Sequence, residues 1–260
     1  MVMRIMIMAG GTGGHVFPAL AVARVLRERG AQIVWLGTRR GLEARVVPRE
    51  GLDIEWLTVA GLRGKGLGSW LTAPFKLALA LVQAVTVMAR RRPMVVLGMG
   101  GYAAGPGGLA TWLLRIPLLV HEQNAVAGMT NRFLARLATR VLTAFPGTFP
   151  DRFGAEVVGN PVRAALTALE PPRQRMAGRE GALRVLVIGG SLGARALNEV
   201  VPRALAGVSP QTRPQVWHQT GERHLEFTRR CYAQAGVEAW RIEPFIDDMA
   251  QAYAWADMVI

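Results

Sequence analysis

Met8-Ala9-Gly10-Gly11-Thr12-Gly13-Gly14-His15-Val16-Phe17-Pro18 is the stretch whose reading decides the fold. Residues 5–9 before it are an apolar run of strand length. After it, Ala19, Leu20, Val22, Ala23, Val25 and Leu26 keep a helical period up to Gly30. A strand, a turn with four glycines and a helix make the opening of a βα unit. In such a turn, backbone N–H groups approach a ligand closely at the positive end of the helix, which suits a phosphate or a sugar. Read alone, the turn serves tight packing equally well.

The same pattern returns later. Residues 183–188 read as a strand, Gly189-Gly190-Ser191-Leu192-Gly193-Ala194 as a glycine turn and residues 195–206 as a helix. Strands and helices alternate between and beyond these units, which predicts parallel sheets with crossover helices. Further strands are expected at 32–37, 54–59, 95–99, 118–121, 140–143, 156–158, 215–219, 241–242 and 258–260. Helices are expected at 43–50, 69–92 and 128–138. Residues 60–68 read as an exposed basic loop. Gly98-Met99-Gly100-Gly101-Tyr102 reads as another glycine-rich turn, followed by Gly105-Pro106-Gly107-Gly108. Residues 168–181 are polar, carry prolines and show no periodicity, so they read as linker or surface loop. The fold class expected is α/β, with two Rossmann-like domains facing each other across a cleft, residues 1–160 and 161–260. The chain ends inside an apolar strand, which predicts a fragment whose second domain is incomplete.

Composition narrows the function. A chain of 260 residues with 51% hydrophobic content has enough apolar mass for two cores. The single Cys231 excludes an internal disulfide framework and suits a reducing compartment. His15, His121, His218 and His224 lack metal-ligand spacing, so neither metal nor cofactor is expected. Residues 1–160 hold 19 Lys/Arg against 8 Asp/Glu, and residues 161–260 hold 12 against 10. That basic first half fits an anionic membrane face or phosphorylated substrates. No nucleic-acid motif with interleaved aromatics accompanies it, so nucleic acid is not an expected partner. Residues 69–92 form a long apolar helix interrupted by Gln83 and closed by Arg90, Arg91 and Arg92. It reads as a domain helix with one buried face, as a helix at a membrane surface, or as both.

With these segments placed, the chain resembles the MurG family, bacterial transferases that add N-acetylglucosamine to the lipid-linked muramyl precursor of peptidoglycan. Seven motifs match in order: Gly10-Gly11-Thr12-Gly13-Gly14-His15, Gly61-Leu62-Arg63-Gly64-Lys65, Gly98-Met99-Gly100-Gly101-Tyr102, His121-Glu122-Gln123-Asn124, Gly159-Asn160-Pro161-Val162-Arg163, Gly189-Gly190-Ser191 and Phe245-Ile246-Asp247-Asp248-Met249. The resemblance implies a GT-B fold, with the acceptor bound mainly by the first domain and UDP-N-acetylglucosamine mainly by the second. It implies an inverting transfer to the muramyl 4-hydroxyl of undecaprenyl-pyrophosphoryl-muramyl-pentapeptide. It also implies a peripheral place on the cytoplasmic face of the inner membrane, beside other proteins of cell-wall synthesis and division. Another GT-B glycolipid transferase, a sugar-nucleotide epimerase, or a fragment that binds only acceptor or partner are the alternatives. The family's pattern continues past residue 260 with a turn that holds the ribose, so weak donor binding is expected of this stretch alone.

Such a transfer needs a base for the hydroxyl proton and support for the departing pyrophosphate. His15, at the end of the first glycine turn, is the first candidate base, and its bland alternative is a histidine that packs the turn. Glu122 is the second, against an internal salt bridge. Thr12, Gly13 and Gly14 complete a donor-facing turn. Asn124 can bind the acetamido sugar or acceptor hydroxyls, or simply shape a turn. Arg163 suits a phosphate, and the resemblance places Ser191 at the diphosphate. Ile246 brackets the uracil or packs in the core. Gly100, Gly101 and Tyr102 are expected to meet the acceptor. His218 and His224 read as structural or solvated.

Overall fold

The computed structural model describes residues 2–59, 67–190 and 192–260. The chain divides into two compact units, Met1–Arg163 and Ala164–Ile260. In the first, strands β1 (Arg4–Met8), β2 (Gln32–Gly37), β3 (Asp53–Trp56), β4 (Val95–Gly98), β5 (Leu118–Glu122), β6 (Arg140–Thr143) and β7 (Glu156–Val157) form one sheet in the order β3-β2-β1-β4-β5-β6-β7. Every pairing is parallel. Helices α1 (Gly13–Glu28), α2 (Glu43–Arg49), α3 (Leu67–Arg91), α4 (Ala104–Leu113) and α5 (Met129–Leu134) provide the crossovers.

The period-two geometry of the strands sorts the core into two layers. Met6, Met8, Val34, Leu36 and Val96 point to one face, where Ala84, Val87 and Met88 of α3 and Ala104 and Ala110 of α4 cover them. Ile5, Ile7, Ile33, Trp35 and Leu97 point to the other, under Val16, Ala19, Leu20 and Ala23 of α1 and Val47 of α2. With both faces buried, the central strands are apolar throughout, as a parallel sheet requires.

The second unit is a parallel four-stranded sheet, β10-β9-β8-β11, built from β8 (Arg184–Ile188), β9 (Gln215–Gln219), β10 (Arg241–Glu243) and β11 (Met258–Val259). Helices α6 (Ala164–Thr167), α7 (Pro172–Arg175), α8 (Arg195–Ala206), α9 (Leu225–Gln234) and α10 (Met249–Trp255) complete it. Val185, Val187 and Val216 pack with Val201, Leu205 and Tyr232 on one face, and Leu186 and Trp217 with Ile246, Ala252 and Ala256 on the other.

Gly105-Pro106-Gly107-Gly108, to which the sequence assigns no element, lies in the first half of helix α4. Pro106 sits in the first turn, where its missing N–H has no partner to lose. A Cβ on Gly107 would lie 2.3 Å from Met8 Sδ, and one on Gly108 would lie 2.3 Å from a Leu134 methyl. The glycines let the helix press onto the sheet at a distance no larger residue permits. Residues 168–181 lie on the surface, as read, yet they are tied down. Arg175 Nη1 donates to the carbonyl of Tyr253 at 2.6 Å, and Arg179 donates to those of Ala254 at 2.6 Å and Trp255 at 2.7 Å. These guanidinium groups satisfy the last carbonyls of α10, and Arg179 also pairs with Asp257. The helix expected at 128–138 is shorter, Met129–Leu134, and the strand expected at 54–59 ends at Trp56. The basic loop expected at 60–68 lies outside the described residues up to Gly66, and α3 has already begun at Leu67.

Candidate active site

In the first unit four sequence motifs converge beyond the C-terminal ends of β1, β4 and β5. There the strand order turns from β1 outward in both directions, which is where open α/β sheets bind ligands. The first glycine turn leaves β1 and enters α1 with Thr12 as its N-cap residue; the Thr12 carbonyl accepts from the N–H groups of His15 and Val16. The second glycine turn leaves β4 and lies directly against the first. Gly10 N–H donates to the Gly100 carbonyl at 3.2 Å. Gly101 has φ +91°, and a Cβ there would sit 2.3 Å from the Gly10 oxygen. Only glycine allows both that conformation and that approach. A Cβ on Gly100 would lie 2.8 Å from His15 Nδ1, so His15 rests on the second turn. Tyr102 beside it is 52% exposed.

The His121-Glu122-Gln123-Asn124 motif at the end of β5 supplies the third wall. His15 Nδ1 lies 3.0 Å from Gln123 Oε1. Gln123 Nε2 lies 3.1 Å from His121 Nδ1 and donates to the His121 carbonyl, and His121 Nε2 lies 3.0 Å from the carbonyl of Gly159. Burial pushes the His121 pKa below the ordinary histidine value, against the Gly159 hydrogen bond and the attraction of Glu122.

Glu122 is fully buried, with a donor on every side. Its Oε1 accepts from Asn124 N–H at 3.0 Å and Asn124 Nδ2 at 2.8 Å. Its Oε2 accepts from Gly128 N–H at 3.1 Å and Asn131 Nδ2 at 2.9 Å. Burial alone would raise its pKa. The side-chain and backbone donors of Asn124, with those of Asn131 and Gly128, outweigh burial and hold the carboxyl below its usual range. Four donors occupy both oxygens, an arrangement that ties the 122–128 loop together and leaves the carboxylate poorly placed to collect a substrate proton. Asn124 is exposed and folded back onto Glu122 through its amide nitrogen.

Arg163 comes to the same corner. Its guanidinium lies 4.9 Å over the ring of Phe17, whose edge also limits the space beside Gly13, and it acts electrostatically on Glu50. Asn160 Nδ2 donates to the Gln123 carbonyl at 3.1 Å, which anchors the segment leading to Arg163.

Two residues that the sequence reading passed over organise this site. Gln123 is one. The other is Glu43, fully buried at the start of α2, which accepts from Gly11 N–H at 2.9 Å and from the N–H and hydroxyl of Thr38 at 3.0 and 2.8 Å. Its carboxylate pins the first glycine turn. In the sequence it looks like any acidic residue in a helix's first turn.

In the second unit the glycine turn between β8 and α8 has the same build. Gly193 has φ +75°, and a Cβ there would lie 1.8 Å from the Thr220 carbonyl, so the turn packs against the end of β9. Ser191 lies outside the described residues. The Ile246 side chain is 5% exposed and belongs to the core beneath β8, so what it can offer a nucleobase is its backbone. Asp248 Oδ1 caps α10 by accepting from Gln251 N–H. His218 is buried between Asn198 and Tyr232, and His224 is half-buried at the entry to α9. Among the described residues no three His, Cys, Asp or Glu side chains converge as a metal site would require.

Comparison with known proteins fits this arrangement. The pattern of the glycosyltransferase family 28 N-terminal domain matches residues 5–143, and that of the family 28 C-terminal domain matches residues 184–260. A protein of Nitrosococcus oceani is 60% identical over all 260 residues, which cover 72% of its length. One of Alkalilimnicola ehrlichii is 62% identical with the same coverage. Both are named UDP-N-acetylglucosamine–N-acetylmuramyl-(pentapeptide) pyrophosphoryl-undecaprenol N-acetylglucosamine transferase. The crystal structure of Acinetobacter baumannii MurG is 43% identical, with a TM-score of 0.74 over 99% of this chain and 72% of that one. A UDP-N-acetylglucosamine 2-epimerase is 14% identical at a TM-score of 0.64, which is a likeness of fold alone. Both sheets, each with its glycine turn and following helix, fall within the matched domains, and the chain belongs to glycosyltransferase family 28.

Proposed function

We propose that this chain transfers N-acetylglucosamine from UDP-N-acetylglucosamine to the muramyl 4-hydroxyl of undecaprenyl-pyrophosphoryl-muramyl-pentapeptide, forming the β-1,4 bond of the peptidoglycan precursor. The observation that carries this reading is identity of 60–62% across the whole chain to transferases so named. The hydroxyl oxygen attacks the anomeric carbon, the bond to the UDP oxygen breaks, and the α linkage inverts to β. His15 takes the hydroxyl proton on a ring nitrogen. Glu122 shapes the loop that presents Asn124 to the sugar or acceptor. Thr12, Gly13 and Gly14 face the donor, and Gly100, Gly101 and Tyr102 meet the acceptor in the first unit. In the second unit the 189–194 turn and the N-terminus of the 12-residue helix α8 receive the diphosphate, with Ser191 as a hydroxyl donor and the backbone at Ile246 beside the uracil. Arg163 adds positive charge for the phosphates.

The same reading places the protein peripherally on the cytoplasmic face of the inner membrane, with cell-wall synthesis and division proteins as neighbours. Helix α3 supports this. Its stretch Ala73–Arg91 is long and apolar enough to cross a membrane by length and composition, yet Ala80, Ala84, Val87 and Met88 are packed in the domain core. Phe75, Leu79 and Val82 share an outward face, Phe75 being 79% exposed. A helix half in the core and half apolar toward solvent suits a bilayer surface rather than a span.

The deciding experiment gives radiolabelled UDP-N-acetylglucosamine and a lipid-linked muramyl-pentapeptide to the full gene product that carries this chain, then follows label into the lipid fraction. Label in lipid, with UDP released in equal amount, is the expected result. Release of UDP without labelled lipid, or epimerised sugar, would overturn the reading.

A further inference from the structure

The hydrogen bonds behind His15 have only one self-consistent assignment of protons. The Gly159 carbonyl can only accept, so the proton of His121 sits on Nε2 and points at it. The His121 backbone carbonyl can also only accept, so the end of the Gln123 amide that approaches it at 3.2 Å is the NH2 group. The second hydrogen of that NH2 meets His121 Nδ1 at 3.1 Å, which must then be a lone pair. A protonated Nδ1 would set donor against donor, and the depressed basicity of the buried His121 ring agrees with its being neutral. With its NH2 committed, Gln123 presents its carbonyl oxygen to His15 Nδ1 at 3.0 Å, and an oxygen there can only accept.

We infer that Gln123, held by His121 and the Gly159 carbonyl, is a positioning residue that keeps the His15 proton on Nδ1 and so makes Nε2 the basic nitrogen. This rests on the reading of His15 as the base. An amide does what a carboxylate would do for orientation, without placing a negative charge against the ring. The neutral imidazole therefore enters the reaction with one nitrogen bare and the other tethered, and no tautomer exchange has to precede proton transfer. The anchor is the backbone at Gly159, in the segment that leads to Asn160 and Arg163. Asn160 bonds to the backbone of the same Gln123, so the glutamine is fixed at both its side chain and its carbonyl.

Nitrogen-15 labelling of histidine alone gives four ring systems, few enough to assign by substitution. Long-range proton–nitrogen correlation well above the ordinary pKa of ~6.5 reads which ring nitrogen carries hydrogen. The expected result is His15 with a protonated Nδ1 and a bare Nε2, and His121 with the reverse. In Gln123→Met the acceptor is gone and His15 shifts toward the Nε2–H form. In the transfer assay Gln123→Met lowers kcat by roughly 10–100-fold with KM for the donor near wild type, the size seen when a partner orienting a working histidine is lost. Wild-type His15 carrying its proton on Nε2 overturns the inference and needs no variant that might misfold. Transfer that proceeds with that tautomer sinks the relay alone. The stated tautomer in a protein that transfers no sugar sustains the relay and sinks the transferase reading.

Discussion

Lowering the pH from neutrality to about 4 asks the His218 ring to take a proton where nothing can receive it. His218 is fully buried on β9; its Nε2 lies 3.0 Å from Asn198 Oδ1 and its Nδ1 3.0 Å from the Tyr232 hydroxyl. Asn198 spends its amide hydrogen on the Thr220 carbonyl, so Oδ1 accepts from His218 Nε2–H, and Tyr232 donates to Nδ1. The neutral imidazole is fully satisfied, while the imidazolium would leave its second proton facing a hydroxyl already committed as donor. Burial lowers the pKa from 6.5 to about 4. A folded-state pKa below the unfolded one stabilises the fold above ~6.5 and withdraws that stability as pH falls toward about 4. The gap of about 2.5 units at 1.36 kcal/mol each is worth about 3 kcal/mol. Urea unfolding should be followed by tryptophan fluorescence, to which Trp217, Trp240 and Trp255, clustered at 4.8–5.7 Å between ring centroids, contribute from the second unit. His218→Gln cannot titrate and serves as the reference, because both proteins share every carboxylate. Between pH ~6.5 and ~4 the wild type should lose about 3 kcal/mol more than the variant. Parallel pH dependences in the two proteins would refute the reasoning.

Four further outcomes follow from the geometry. Glu122→Gln turns an NH2 group toward donors already in place, and should cost about 1–3 kcal/mol in urea unfolding at neutral pH. That difference should shrink as acid protonates the wild-type carboxyl below its lowered pKa. Gly101→Ala forces a Cβ against the Gly10 carbonyl at positive φ and should cost at least ~1–3 kcal/mol while displacing the first glycine turn, read as a weaker Kd for UDP-N-acetylglucosamine. His15→Ala should lower kcat by roughly 10²–10⁴-fold with donor affinity little changed; near-normal turnover would make the ring structural. Phosphatidylglycerol vesicles should co-sediment with the protein less as salt rises, and Phe75→Ser with Leu79→Ser should remove ~1.5–3 kcal/mol of binding per side chain. Equal binding by the double variant would exclude that face of α3.

Where the sequence was legible, one local rule sufficed. Strands β2, β6 and β9 and helix α8 stand where apolar residues and glycine punctuation put them; in β2 residues 33–36 are an unbroken apolar run, as a strand buried on both faces requires. Helix α4 was illegible because its glycines answer to Met8 and Leu134 and not to their own neighbours. Their cost in helix propensity is visible in the sequence, and their reason is not. The site shows the same split. The glycine turns and the His121 to Asn124 motif are legible as chemistry-bearing residues. The bond from Gln123 to His15 spans 108 residues and that from Glu43 to Gly11 spans 32, so neither role has a local signature. The anchoring by Arg175 and Arg179 has no local sign either, because their partners, the carbonyls of α10, lie some 75 residues on.

Strand β1 is shared: it pairs on one side with β2, Arg4 opposite Gln32, and on the other with β4, Ile5 opposite Val95. The first pairing closes a loop of about 28 residues and the second one of about 90, a difference of roughly 1 kcal/mol in closure entropy. On a ribosome the order is fixed more firmly than by entropy. Strands β1 to β3 can assemble once Trp56 has emerged, but the other side of β1 stays unpaired until Gly98 follows. At ~5–20 residues per second that interval lasts roughly 2–8 s. During it Met6, Met8, Val34 and Leu36 lie bare on the face that α3 and α4 will cover. The nascent chain therefore passes through a window in which its central strand is a ready template for a neighbour's, and the arrival of β4 is what shuts it.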